Sequence, residues 1–183
     1  MTTTIAPDLT GTWTIDPAHS QLGFAVRHAM VTTVRGSFGV YDGELVLDAD
    51  NPSTSHAVVS IDAGSITTGQ EQRDGHLKSP DFLDVAAYPT LTFSSTAVKI
   101  DGEDVTLIGD LSIRGVSKPV EIMVEVGGVA NDPMGNTRAG FEGTTTISRK
   151  DFGMDFNAAL DAGGVLVGDK IKVTLDISAV RKA

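Results

Sequence analysis

The sequence contains no cysteine, and that absence excludes disulfide scaffolds, thiolate metal sites and cysteine nucleophiles together. Basic residues are scarce as well: 14 Lys and Arg stand against 24 Asp and Glu, a net charge of -10. A field of that sign opposes binding to nucleic acid or to an anionic membrane surface, and it favours solubility. No apolar run is long enough to span a bilayer, so stable membrane insertion is not expected. Residues 1–10 have neither the basic stretch nor the apolar stretch of an export signal, and the expected location is the cytoplasm. A P-loop, a dinucleotide fingerprint and an EF-hand loop are all missing, and Asn51-Pro52-Ser53 fails as a glycosylation site because of its proline.

What the chain has is alternation. Leu22, Phe24, Val26 and His28 fall on one face of an extended segment, and Gln21, Gly23, Ala25 and Arg27 fall on the other. The pattern recurs at Val34, Phe38 and Val40, and after a turn at Gly43 it resumes at Leu45 and Leu47. It continues at Ala57, Val59 and Ile61; Leu91 and Phe93; Val105, Leu107, Leu111 and Ile113; and Val120, Ile122, Val124 and Val126. Phe141, Thr145 and Ile147, then Ile171, Val173, Leu175 and Ile177, complete it. Short Asp-Gly, Gly-Gly and Pro-containing links suit antiparallel neighbours. About eight strands are expected, enough for a closed barrel that holds one small ligand. Residues 1–10 read as a flexible arm and 11–183 as one domain, since no linker-like break interrupts the series.

One stretch is helical. Thr68-Gly69-Gln70-Glu71 has capping-box spacing, with Thr68 as cap, and opens a polar run to Leu77. Ser79-Pro80-Asp81-Phe82 predicts a second short helix with Ser79 as cap. A helical insertion over Thr68–Val85 covers one mouth of a barrel, where Leu77, Phe82 and Leu83 either gate the interior or form a fixed lid.

Residues that carry chemistry are few. Asp16, His19 and Ser20 are the types of a hydrolytic triad, but adjacent side chains on an extended segment point apart, and there is no G-x-S-x-G elbow. The histidines, His19, His28, His56 and His76, show no metal-ligand spacing. Neither a cofactor nor a metal is expected, and the reading that remains is an apolar-lined barrel that binds rather than turns over.

The ordered motifs then carry a family resemblance. They are Ile15-Asp16 with His19-Ser20; Phe24, Val26 and His28; Val34, Gly36 and Phe38; Ser65-Ile66 and Thr68; and Arg73-Asp74 with His76-Leu77. Ser79, Asp81-Phe82, Asp84, Tyr88-Pro89 and Phe93-Ser94 follow, then the hairpin Gly109-Asp110-Leu111-Ser112-Ile113-Arg114-Gly115-Val116-Ser117-Lys118. Ile147, Arg149, Asp151-Phe152-Gly153 and Val167-Gly168-Asp169 close the set. Over roughly 11–180 the chain resembles the YceI-like, polyisoprenoid-binding proteins. That resemblance implies an all-β, closed, antiparallel, up-and-down lipocalin-like barrel. It also implies a long apolar ligand along the interior, a polyprenyl chain or an isoprenoid quinone, and often a homodimer.

Burying each methylene contributes about 0.8 kcal/mol, so several prenyl units bind without a directed bond. Leu22, Phe24, Val26, Phe38, Phe93, Leu111, Ile113, Ile122 and Phe141 are expected to face the interior. His19, His28, Arg73, His76, Lys118 and Arg149 are the candidates to meet a ligand headgroup. Two other readings stay open: an enzyme of the same shape using His28 or His76 as base, and a solid barrel without a cavity that serves as an interaction module.

Overall fold

The computed structural model describes residues 5–101 and 103–183. In chain order its elements are β1 (Gly11–Ile15), β2 (Gln21–His28), β3 (Thr32–Phe38), β4 (Tyr41–Leu47), β5 (His56–Asp62) and β6 (Ile66–Thr67). Then come α1 (Glu71–Lys78), β7 (Thr90–Asp101), β8 (Asp104–Ile113), β9 (Val116–Asn131), β10 (Thr137–Ser148) and β11 (Val167–Arg181). Eight strands close the barrel: the order β1-β4-β5-β7-β8-β9-β10-β11 returns on itself because β11 also pairs with β1. Every neighbouring pair is antiparallel, and β2, β3 and β6 continue the sheet from β11.

The extra strands come from bends. β11 pairs with both β1 and β2, through Ile15↔Ala179 and then Leu22↔Leu175, and a single 3-10 turn at Pro17–His19 separates those two. Pro17 fixes the turn's φ and supplies no donor, while the Asp16 carboxylate accepts from the Ala18 amide. The Ser20 hydroxyl then stands in for a missing ladder partner, since Ser178 N–H donates to its Oγ at 2.9 Å. β3 and β4 are likewise one long strand bent at Gly39-Val40, pairing with β2 and β1 respectively. The expected up-and-down barrel of about eight strands is therefore present, with two of its strands broken once.

Three local expectations are corrected. Gly43 does not turn the chain; it lies within β4 opposite Val59, where a Cβ would come 2.6 Å from Ile15 Cδ1. α1 is capped by Gln70, whose side chain accepts from the Arg73 amide, and not by Thr68. The Thr68 hydroxyl instead donates to Asp74 and accepts from Arg73 Nε. No helix forms at Ser79-Pro80-Asp81-Phe82: it is a turn, with the Phe82 and Asp84 amides both donating to the Ser79 carbonyl. β1 was not visible as alternation at all, because five residues are too few to establish a period.

Residues 1–4, part of the expected arm, lie outside the described residues. In the rest of that segment Pro7–Leu9 makes a 3-10 turn that buries Leu9 at 2% exposure, while Ala6, Pro7, Asp8 and Thr10 are exposed. Leu9 sits in a cluster with Trp13, Ala139 and Ala179 that closes one end of the barrel. Trp13 is fully buried, donates from Nε1 to the Leu9 carbonyl at 2.8 Å, and carries the Arg181 guanidinium 4.7 Å over its ring. Trp13→Phe leaves a void and an unpaired carbonyl together. Its expected cost is about 2 kcal/mol in denaturant unfolding, and a loss below about 0.5 kcal/mol would show that this end repacks freely.

At the β1–β2 bend the Asp16 carboxylate meets Arg138 Nη1 at 2.8 Å and His19 Nδ1 at 2.7 Å. Arg138 Nε also reaches Asp132 at 2.6 Å, so one guanidinium joins the bend to the β9–β10 hairpin. The Asn136 amide and Arg138 hold Asp132 down at about 2, and Arg138, then His19, holds Asp16 below its ordinary value. Carboxylates depressed in the folded state contribute stability that is complete above their unfolded values near 3.8 and is lost as pH falls. Thermal unfolding should therefore lose midpoint between about pH 4 and 2, with a shallower slope in Asp132→Asn. Identical slopes for the two proteins would remove Asp132 from the account.

Candidate functional site

Alternation fixes which side chains enter the barrel, and closure decides what they enclose. Two apolar cavities of about 270 and 220 Å³ occupy the interior. Both are lined by Leu22, Ile61, Leu111, Val173 and Leu175, so they adjoin across these five side chains inside the barrel. All nine residues expected to face inward do so: Leu22, Phe24, Val26, Phe38, Leu111 and Ile113 line the first cavity, and Phe93, Ile122 and Phe141 join Leu22 and Leu111 in the second. A solid barrel would contain neither space, whereas apolar cavities of this kind are suited to apolar ligands.

Small residues make room for the lining. At Gly36 a Cβ would come within 2.4 Å of the Phe24 ring, so glycine there lets Phe24 lie flat against β3. Ile5 and Leu9 from the N-terminal segment also line the second cavity.

The first cavity ends at α1 and the turn after it. Leu77, Phe82 and Leu83 line it as expected of a lid, and Phe82 and Leu83 are buried. The lid is held in several places. His76 packs edge-on to Phe82 and Phe156, with ring centroids 5.0 and 4.8 Å apart, and its Nε2 lies 2.8 Å from Asp81. Arg114 Nη1 donates to the Phe82 carbonyl at 3.0 Å and to the Gly153 carbonyl at 3.3 Å. Arg73 donates from Nε and Nη2 to Thr68.

Arg149 is the unusual member of this end, a cation only 1% exposed. It follows β10, where the chain leaves the sheet through a 3-10 turn closed by Gly153 in the left-handed region at φ 78°. Among the described residues no carboxylate pairs with it directly; its guanidinium donates to the carbonyls of Gly168, Met154, Phe156 and Val167. Burial pushes Arg149 below its ordinary value, opposed by the charges of Asp169 and Asp155. Four bonds thus tie the irregular chain after β10 to the start of β11 and keep that wall of the cavity in place.

Of the candidates to meet a headgroup, His28, Arg73, His76 and Arg149 line the first cavity. His19 and Lys118 are corrected. His19 sits on the outer bend against Asp16 with a largely exposed ring, and Lys118, opposite Leu111 on β9, is exposed and lines neither cavity. His56 lines the second cavity. Asp16 and His19 are bonded, but Ser20 Oγ donates to the Ser178 carbonyl, so no base stands ready at that hydroxyl. Met154, Phe156 and Leu166 also line the first cavity and were missed, because the segment between β10 and β11 has no period to read.

The comparisons agree with this geometry. A family model described as a YceI-like domain matches residues 13–179. A UPF0312 protein of Pseudomonas paraeruginosa is 37% identical over 164 residues, covering 90% of this chain and 83% of that one. Protein YceI of Escherichia coli is 41% identical over 134 residues, covering 73% of this chain and 70% of its own. Among solved structures, a Campylobacter jejuni YceI protein superposes with TM-score 0.71 at 30% identity, over 86% of this chain and 90% of that one. Burkholderia cenocepacia BcnA shares the fold with TM-score 0.78 at 22% identity, covering 90% and 98%. A polyisoprenoid binding domain from Saccharophagus degradans shares it with TM-score 0.70 at 17% identity, covering 93% and 98%. With barrel, lumen and sequence in accord, the chain belongs to the YceI-like family.

Proposed function

We propose that the protein binds a long apolar molecule, a polyprenyl chain, an isoprenoid quinone or a compound of similar shape, and carries or sequesters it without chemical turnover. The observation that carries this reading is the apolar interior, two adjoining cavities sharing five lining residues within a closed barrel. The polyisoprenoid binding domain with the same fold supports the choice of ligand class. Transfer of a flexible chain into such a space is driven by area removed from water, with little demand on headgroup identity.

Mass spectrometry of an organic extract of the purified protein is expected to find an apolar compound in near-stoichiometric amount, and the delipidated protein should take up a polyprenyl or quinone ligand. Failure of both would overturn the reading. Turnover at His28 or His76 would show instead as conversion of an added ligand that disappears in His28→Gln or His76→Gln.

The same proposal places the ligand-holding unit in one domain over 11–183, in the cytoplasm, as a homodimer. Among the described residues no helix is long and apolar enough to cross a membrane. Cell fractionation and light scattering test the location and the dimer.

A further inference from the structure

The turn between β2 and β3 carries residues that its shape disfavours. Ala29 and Met30 both have positive φ, 49° and 67°, and the Val31 amide closes the turn on the His28 carbonyl at 3.2 Å. A turn whose two central residues both have positive φ favours Asn-Gly, because a side chain is strained at either position. The strained turn holds apolar side chains in solvent: Met30 is 58% exposed and Val31 75%. Met30 lies over the 160–164 turn, where a Cβ on Gly164 would collide with its Sδ, and the neighbouring Val165 is exposed too. Backbone strain that displays an apolar patch points to a surface with a partner.

The outer face behind this tip is basic. Lys172 of β11, Ala25 of β2 and Arg35 of β3 lie side by side in register, and Lys170 and Arg27 follow two residues nearer the tip. All four charged side chains are exposed. Of the acids on β10, β11, β2 and β3, Glu142 and Asp176 face each other at the far end, and Asp169 is bonded to the Ser148 hydroxyl. Asp155 and Asp161 lie in the chain between β10 and β11. Four of the 14 Lys and Arg thus collect beside one apolar tip, in a chain whose net charge is -10. Other exposed methionines keep acidic company: Met123 shares its face of β9 with Glu121 and Glu125, and Met134 follows Asp132 in the β9–β10 turn.

A protruding apolar tip with a basic collar fits a surface that is apolar inside and anionic at its boundary. A protein partner would need a pocket shaped for the tip, whereas a bilayer accepts aliphatic side chains of any shape. We infer that the β2–β3 turn docks the protein on an anionic lipid bilayer. Met30, Val31 and Val165 enter the interface, and Arg27, Arg35, Lys170 and Lys172 meet the lipid phosphates. Val26 and Val167, at the base of the tip, line the first cavity, so docking sets that cavity against the phase in which long apolar molecules reside. That consequence rests on the lumen-binding reading, and the docking itself does not.

Vesicles of phosphatidylcholine and phosphatidylglycerol in equal parts should carry down the full chain at low salt. Vesicles of phosphatidylcholine alone should bind it at least about tenfold more weakly, and added salt should narrow the gap. Ala29→Asn with Met30→Gly and Val31→Ser gives the turn its favoured residues and removes the apolar tip. This variant should stay folded and bind the mixed vesicles at least about tenfold more weakly. Arg35→Gln with Lys172→Gln changes exposed side chains only and should lose about tenfold as well. Farnesol delivered in detergent should enter wild type and tip variant equally, which reports on the lumen separately. Vesicle binding without farnesol uptake would keep the docking surface and remove the lumen reading. Equal binding of wild type to both kinds of vesicle, or equal binding of wild type and tip variant to the mixed ones, would overturn the docking surface. So would a wild type that binds no vesicles, which would leave the tip to a protein partner.

Discussion

Leu111→Trp is expected to abolish ligand uptake while the protein stays folded. Leu111 stands where the two cavities meet, together with Leu22, Ile61, Val173 and Leu175. An indole there divides the lumen, and a chain that loses contact with four or more methylenes of length binds about a hundredfold more weakly. The added bulk enters space that is already empty, so the folded protein should lose less than about 1 kcal/mol, where a filled core would lose roughly 1 to 3. Ligand titration and denaturant unfolding of wild type and variant, both delipidated, give the two numbers. A strongly destabilised variant, beside a wild type that takes up no ligand, would mean that the interior is packed in solution.

Replacing Arg149 by methionine should have the opposite signature. The side chain keeps its length and apolar stem, but four carbonyls, those of Gly168, Met154, Phe156 and Val167, lose their donors at once. Buried acceptors left unpaired cost on the order of 1 kcal/mol or more each, so a loss of roughly 3 to 5 kcal/mol is expected. Arg149→Lys should recover only part of it, because an ammonium is a compact charge and cannot span carbonyls on both sides of the cavity wall. A loss under about 1 kcal/mol in Arg149→Met would show that water replaces the guanidinium and that the wall does not depend on it.

The sequence exposed the lumen better than the mouth. Leu22, Phe24 and Val26 could be assigned inward from their spacing alone, because a strand sends alternate side chains to opposite faces whatever its partners are. The same logic placed Phe93, Leu111, Ile113, Ile122 and Phe141, and the cavities are lined by all of them. It failed where the chain leaves the sheet. Ser79-Pro80 read locally as a helix start, yet the turn it forms is set by Leu83 donating back to Leu77 and by burial of Phe82 and Leu83 under the barrel mouth. Lys118 lies opposite Leu111 in register, but its charged end stays in solvent, as a long flexible stem allows.

By itself the sequence determined the all-β class, the inward face of nearly every strand and the exclusion of thiol chemistry, since each follows from composition or from a period of two residues; of the two short helices it predicted, only the first forms. Tertiary structure alone decided the rest. Closure of β11 on β1 turned an apolar face into an enclosed lumen, and it brought Arg27 and His28, Arg73 and His76, and Arg149 from three distant segments to one mouth. Local periodicity tells a side chain which face it is on, but only the register of strands far apart in sequence tells it which neighbours it will meet.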